Sequence, residues 1–144
     1  MKSYVLLALV VAIAVSCNEE ENKTEDSPGS WTRLNDFPNE GKNASLAFSI
    51  NGKGYWAFGF NPTSGHMKEV WSYDPSTDSW DQKRDFPFGL HPEAVAVANG
   101  KAYVLMYSGM LYEYDPSSDS WKEKALIPDD KYHGCVAFGL GSNV

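Results

Sequence analysis

Tyr73-Asp74-Pro75-Ser76-Thr77-Asp78-Ser79-Trp80 returns as Tyr114-Asp115-Pro116-Ser117-Ser118-Asp119-Ser120-Trp121. A phrase that returns in the same order marks a repeat architecture, and a repeat has to be read before any single element. Outward from the two tryptophans the register extends without a gap. Trp31, Trp80 and Trp121 are each followed seven residues later by a proline: Pro38, Pro87 and Pro128. Seven residues further come Ser45, Ala94 and Cys135, each opening an apolar run. The tryptophans are 49 and 41 residues apart, and the longer unit carries an extra loop, Phe60-Asn61-Pro62-Thr63-Ser64-Gly65-His66. Periods of about 40 to 50 residues that are rich in strand formers point to propeller blades rather than a helical solenoid.

Each unit reads as four short strands. Asn51-Gly52 and Asn99-Gly100 stand between apolar segments. Asn and Gly accept the positive φ angles that a two-residue hairpin turn requires. Ser45–Ile50 is therefore predicted to pair with Gly54–Phe60, and Ala94–Ala98 with Lys101–Tyr107. Third strands are predicted at Glu69–Tyr73 and Met110–Tyr114, and fourth strands at Trp80–Lys83 and Trp121–Lys124. The Asp-Pro-Ser segments between them are turns: proline presets φ, and Asp and Ser side chains bond local backbone N–H groups. Outside the first 16 residues no segment sustains a 3.6-residue apolar period, so the class is all-β, with four-stranded antiparallel units.

The order apolar strand, Asn-Gly-Lys, Tyr, Gly, then Tyr-Asp-Pro-x-x-Asp-x-Trp resembles the kelch repeat. The resemblance covers residues 31–144. Tyr73 with Trp80 and Tyr114 with Trp121 match the family's spaced aromatic pair, while the usual Gly-Gly doublet is replaced by Phe58-Gly59-Phe60 and Met106-Tyr107-Ser108-Gly109, which marks the repeats as divergent. The resemblance implies blades of a β-propeller around a central channel. A propeller needs at least four blades. The 114 residues from Trp31 to Val144 hold only two to three. In register, Val144 matches Gly54 and Tyr103, at the start of a second hairpin strand, so Gly134–Leu140 is expected as a strand without its partner. Three arrangements follow from this incomplete ring: a fragment of a longer propeller lipoprotein, a subunit that closes a ring with copies of itself or another chain, or an open stack of sheets. The fragment is the expectation carried forward.

Residues 1–16 read as a secretory signal. Lys2 gives a basic start, and Val5 to Val15 is an unbroken apolar run of eleven residues. A bilayer span needs about 20, whereas an apolar run of this length fits a signal peptide. Ala14-Val15-Ser16-Cys17 resembles the lipobox of bacterial lipoproteins, with Ala14 where the pattern prefers Leu, Val or Ile. By that resemblance Cys17 becomes a lipidated N-terminus, anchored in the bacterial outer membrane and facing the periplasm or the cell surface. A plain signal peptide with a chance cysteine is the simpler alternative. Residues 17–30 have no apolar residue after Cys17 and are expected to be a disordered acidic tether. With Cys17 used for lipidation, Cys135 is left without a disulfide partner, and its place in the repeat predicts a small buried residue. The formal net charge of −7 becomes −8 once residues 1–16, with Lys2 as their only charge, are removed. That balance excludes a nucleic-acid partner, which would need clustered Lys and Arg.

Chemistry is sparse. His91 and His133, with Tyr132 beside it, fall on loops that lead into a blade's first strand, a rim position where kelch propellers often dock ligands. Ordinary loop polarity is the competing reading, and it applies more strongly to His66 in the extra loop. No residue set satisfies zinc, which takes four ligands or three plus water. The copper ligand set of kelch-like galactose oxidases is not matched, so no cofactor is expected. Asp74, Asp78, Asp115 and Asp119 recur in register, which suits turns better than a catalytic pair with separated pKa values. Trp56, Trp71, Tyr107 and Tyr112 read as blade packing, or as surfaces for stacking sugar rings. The functional expectation is a lipid-anchored extracytoplasmic binding module with a glycan or protein ligand, and no catalytic residue is assigned. The alternatives are an enzyme resembling the kelch-type sialic acid epimerases, which need a complete propeller, and a non-functional truncation product.

Overall fold

The computed structural model describes residues 29, 31–88, 91–128 and 134–141. Cys17, Tyr132 and His133 lie outside these residues, as do the apolar run Val5–Val15 and nearly all of the tether. Residues Arg33–Val144 form one compact unit. Among the described residues there is no helix, and none is therefore long and apolar enough to cross a membrane.

Two four-stranded antiparallel sheets carry the unit. Blade 1 contains β1 (Leu46–Ile50), β2 (Lys53–Ala57), β5 (Val70–Asp74) and β6 (Ser79–Lys83), in that order across the sheet. The insertion between β2 and β5 is a small hairpin of β3 (Phe60–Asn61) and β4 (Gly65–His66). Blade 2 contains β7 (Pro92–Ala98), β8 (Lys101–Met106), β9 (Met110–Asp115) and β10 (Ser120–Leu126), again neighbour to neighbour. None of the sheets closes on itself. The eight strands predicted for the first two units are present to within a few residues at each end.

The turns explain the matching topology. Asn51 and Asn99 both sit at φ 51°, followed by Gly52 and Gly100 at 77° and 70°, as a two-residue hairpin turn demands. Asp74 Oδ1 accepts from the Ser76 N–H at 2.9 Å, and Asp115 Oδ1 from the Ser117 N–H at 2.9 Å. Each aspartate so replaces a missing backbone partner and fixes the β5–β6 or β9–β10 reversal. The Ser76 and Ser117 hydroxyls, donating to the same oxygens at 2.6 Å, then Lys53 and Lys101, then these N–H bonds, hold both carboxyls down to about pKa 2.

Side chains alternate across each strand. In blade 1 the pairing places Leu46, Phe48, Ile50, Tyr55, Ala57, Val70 and Ser72 on one face. That face meets Ala102, Val104, Tyr112 and Tyr114 of blade 2, with Phe58 and Phe86 filling the core from the connecting loops. The first strands of the two blades, β1 and β7, pack together. Phe86 is fully buried against Phe58, Tyr112 and Trp121, with ring centroids 4.9 to 5.3 Å apart. Burying one such side chain contributes about 1.5–3 kcal/mol.

The third repeat departs from expectation. Residues 134–141 form no strand ladder, and Cys135 is half-buried rather than enclosed in a sheet. Val136, Phe138 and Leu140 are 88%, 74% and 74% exposed. The segment still follows the repeat: a side chain at Gly139 would collide with the Val97 carbonyl oxygen, so it runs close beside β7. Among the described residues its one strand-like link is a single bridge at Leu140, and its apolar side chains lie largely in solvent.

Candidate functional site

The two blades are joined by a lock that repeats bond for bond. The Arg84 N–H donates to Asp119 Oδ1 at 2.9 Å, Arg84 Nε donates to the Asp119 carbonyl at 2.8 Å, and Trp121 Nε1 donates to the Arg84 carbonyl at 3.1 Å. One repeat earlier, the Asn35 N–H donates to Asp78 Oδ1 at 2.9 Å, Asn35 Nδ2 to the Asp78 carbonyl at 2.6 Å, and Trp80 Nε1 to the Asn35 carbonyl at 3.3 Å. Tyr73 and Tyr114 hydroxyls donate to the same aspartates at 2.7 and 2.8 Å. The aspartate bond and burial raise the Tyr73 hydroxyl to about 12, while burial first and Asp119 second raise Tyr114. The Asn35 N–H and the Tyr73 hydroxyl together lower Asp78. So Asp74 and Asp115 serve turns, as the repetition suggests, but Asp78 and Asp119 join neighbouring units. Their pairing with Asn35 and Arg84, each four residues after a repeat tryptophan, was the available signal.

Two further charged clusters were not foreseen. Glu69 accepts from Asn39 Nδ2 at 2.8 Å, Lys42 Nζ at 3.0 Å and Trp71 Nε1 at 3.3 Å. Burial pushes the Glu69 carboxyl up, and Lys42 with the other donors more than offsets it, leaving it below the usual range. The Lys42 ammonium, its side chain fully buried, also sits 5.3 and 5.4 Å from the Phe37 and Trp56 rings. In blade 2, Glu113 holds Lys101 at 2.8 Å and Lys124 at 2.9 Å. Lys101 first, then Lys124, lowers the Glu113 carboxyl to about 2 against its own burial. Among the described residues no buried side-chain polar atom, in these clusters or elsewhere, is left without a partner.

The rim predicted around His91 is built differently from the expectation. His91 stands at the start of β7 with φ 72°, and its carbonyl accepts from the Tyr107 N–H at 2.8 Å. The insert hairpin brings His66 against it, with ring centroids 4.4 Å apart at 67°. Phe60 backs His66 at 5.1 Å, and Tyr107 lies 6.4 Å from His91. Ala44, Gly59, His66, Met67, His91 and Pro92 line a cleft of about 70 Å³ between the blades at this end. Backbone strain concentrates here. Ala44, Phe58 and His91 all hold positive φ at 51°, 63° and 72°, a conformation uncommon outside Gly and an outlier for a bulky residue. Gly59, at φ 120°, has no room for a side chain: a Cβ would meet Ser45 Oγ at 2.6 Å and the Asn43 carbonyl at 3.0 Å. Such residues persist only where the surroundings over-determine them, and they collect at binding sites.

Of the aromatic set, Trp56 and Trp71 pack on Phe37 at 4.1 and 5.4 Å, and Tyr112 packs on Phe86 at 5.0 Å. Tyr107 is 56% exposed at the rim. No group of three or more His, Cys, Asp or Glu converges among the described residues. A wider cleft of about 590 Å³ opens where Gln82, Arg84, Asp85 and Trp121 meet. Its Arg84 and Trp121 are already spent on the inter-blade lock.

No family model matches this sequence, and no curated protein matches it. Among solved structures, the one titled "Structure of YjhT", a kelch-type propeller protein, superposes with a TM-score of 0.60 at 22% identity. The match covers 73% of this chain and 43% of that one, so the chain spans less than half the length of that protein. The likeness supports a kelch-like fold.

Proposed function

We propose that this chain is a lipid-anchored, extracytoplasmic binding module of kelch type, built from blades of a larger propeller. The observation that carries the reading is the rim cleft, where His66 and His91 converge from two blades within strained backbone. At about 70 Å³ the cleft is well below the ~300–1,000 Å³ of an enclosing ligand pocket, so it would take one edge of a ligand lying across the exposed rim. Exposed Tyr107 beside His91 offers a ring face on which a sugar could stack. Lipidation at Cys17 and an acidic tether would hold the blades off the outer membrane, as the lipobox-like start suggests.

The test combines two measurements. Metabolic labelling with a fatty-acid analogue should mark the wild-type chain and leave Cys17→Ser unlabelled; an unlabelled wild type removes the anchor. A glycan array probed with the chain from Asn18 onward should give a defined set of sugars, lost in Tyr107→Ala. Conversion of a bound sugar to its epimer would instead favour an enzyme, and a blank array would leave a protein ligand as the reading to pursue by cross-linking on cells.

A further inference from the structure

We propose that His66 and His91 form a two-imidazole site for a divalent transition metal that prefers right-angle coordination, of the Ni²⁺ and Cu²⁺ class. Both histidines are exposed to solvent, and their ring centroids stand 4.4 Å apart. Metal–imidazole bonds are about 2.0–2.1 Å long, which puts a bound ion about 3.1 Å from each ring centre. Two such rings at right angles around one ion have centroids about 4.4 Å apart, while two at the tetrahedral angle have them about 5.1 Å apart. The rings meet edge to face at 4.4 Å, so both can reach one ion by rotating about their side-chain torsions, and that separation is nearer the right-angle value than the tetrahedral one. Imidazole is the ligand type that nickel and copper favour, and tetragonal geometry distinguishes them from zinc. The remaining corners would be taken by water.

The backbones that carry the two rings are held independently. His66 is held by the β3–β4 hairpin, where it pairs with Phe60. His91 is held by the Tyr107 N–H bonded to its carbonyl. The lysine that approaches the cleft, Lys42, has its charge taken up by Glu69 at 3.0 Å, so it does not repel a cation with a free ammonium. A metal at this point would bridge the insert hairpin of blade 1 to the first strand of blade 2. The inference stands on this geometry, whether or not a glycan docks on the same rim.

Titration calorimetry with Ni²⁺ alone on the tag-free chain should show one site per chain. His66→Gln and His91→Asn should each weaken it by more than about tenfold, because each removes one of two protein ligands. Asn is chosen at position 91 because it tolerates positive φ, so that variant keeps the loop. Ni²⁺ should raise the wild-type melting temperature and leave that of His91→Asn unchanged. Zn²⁺ should bind more weakly than Ni²⁺. Absence of Ni²⁺ binding overturns the proposal, as does undiminished binding in either variant, and so does tighter binding of Zn²⁺.

Discussion

Asn35 on Asp78 and Arg84 on Asp119 make the same bonds with two unlike side chains, while the faces around them have diverged. Blade 1 offers its neighbour Leu46, Phe48, Ile50 and Ser72. The matching places in blade 2 are Ala94, Ala96, Ala98 and Glu113, all buried to within 4–7% exposure. The lock survives substitution because backbone N–H and carbonyl groups make half of each contact, and every residue supplies those. The face has no such insurance. Its chemistry is set by what lies against it, so large apolar side chains in one blade give way to small ones and an ion-paired carboxylate in the next.

The largest expected effect contrasts the two ring wedges. Phe86→Ala empties a fully enclosed place between the blades and should cost about 3–5 kcal/mol in urea unfolding. Phe37→Ala, one repeat earlier, should cost about 1–2 kcal/mol, because Phe37 is only half-buried and packs on Trp56, Trp71 and Trp80 from outside. Equal losses would mean that residues 33–42 are as integral to the fold as the link between the blades.

Next comes the lock. Asp119→Ala should cost about 1–3 kcal/mol, since it strands the fully buried Tyr114 hydroxyl without an acceptor. Asp78→Ala should cost clearly less, its partners being nearer to water. If the order reversed, the comparison between an inner and an outer lock would fail.

The smallest effect is in acid. Glu113 has a folded pKa near 2, below its unfolded value. A lowered carboxyl contributes stability that is fully present above the unfolded value of about 4.3 and is lost as pH falls toward 2. Wild type should therefore lose stability between about pH 4.5 and 2, and Glu113→Gln should flatten that slope while lowering stability at neutral pH. Asp74 and Asp115, also held near 2, will keep part of the acid response in the variant. An unchanged slope would remove Glu113 from the acid response.

Much of the architecture was legible because it is local. Asn51-Gly52, Asn99-Gly100 and the two Asp-Pro-Ser turns dictate reversals over a few residues, and period-two apolar runs fill the strands between them. What the sequence concealed depends on distant partners. Gly134–Leu140 has strand composition and yet no ladder, because a strand is made by its neighbour. Val136 and Phe138 are less buried than their repeat equivalents for the same reason. His66 looked like loop polarity until the β3–β4 hairpin carried it to His91, 25 positions further along the sequence. The Glu113 cluster replaces a serine of blade 1, and no local signal distinguishes an ion-paired buried Glu from a solvated one.

Residues 35–42 have one more effect, on how the chain comes apart. Asn35 is seated on Asp78 through its backbone N–H and its side-chain amide, and Phe37 wedges among Trp56, Trp71 and Trp80. Peeling this segment away would strip Asp78 of two donors and wet three indole rings in one step, so fraying at this edge carries a penalty that an ordinary surface loop would not.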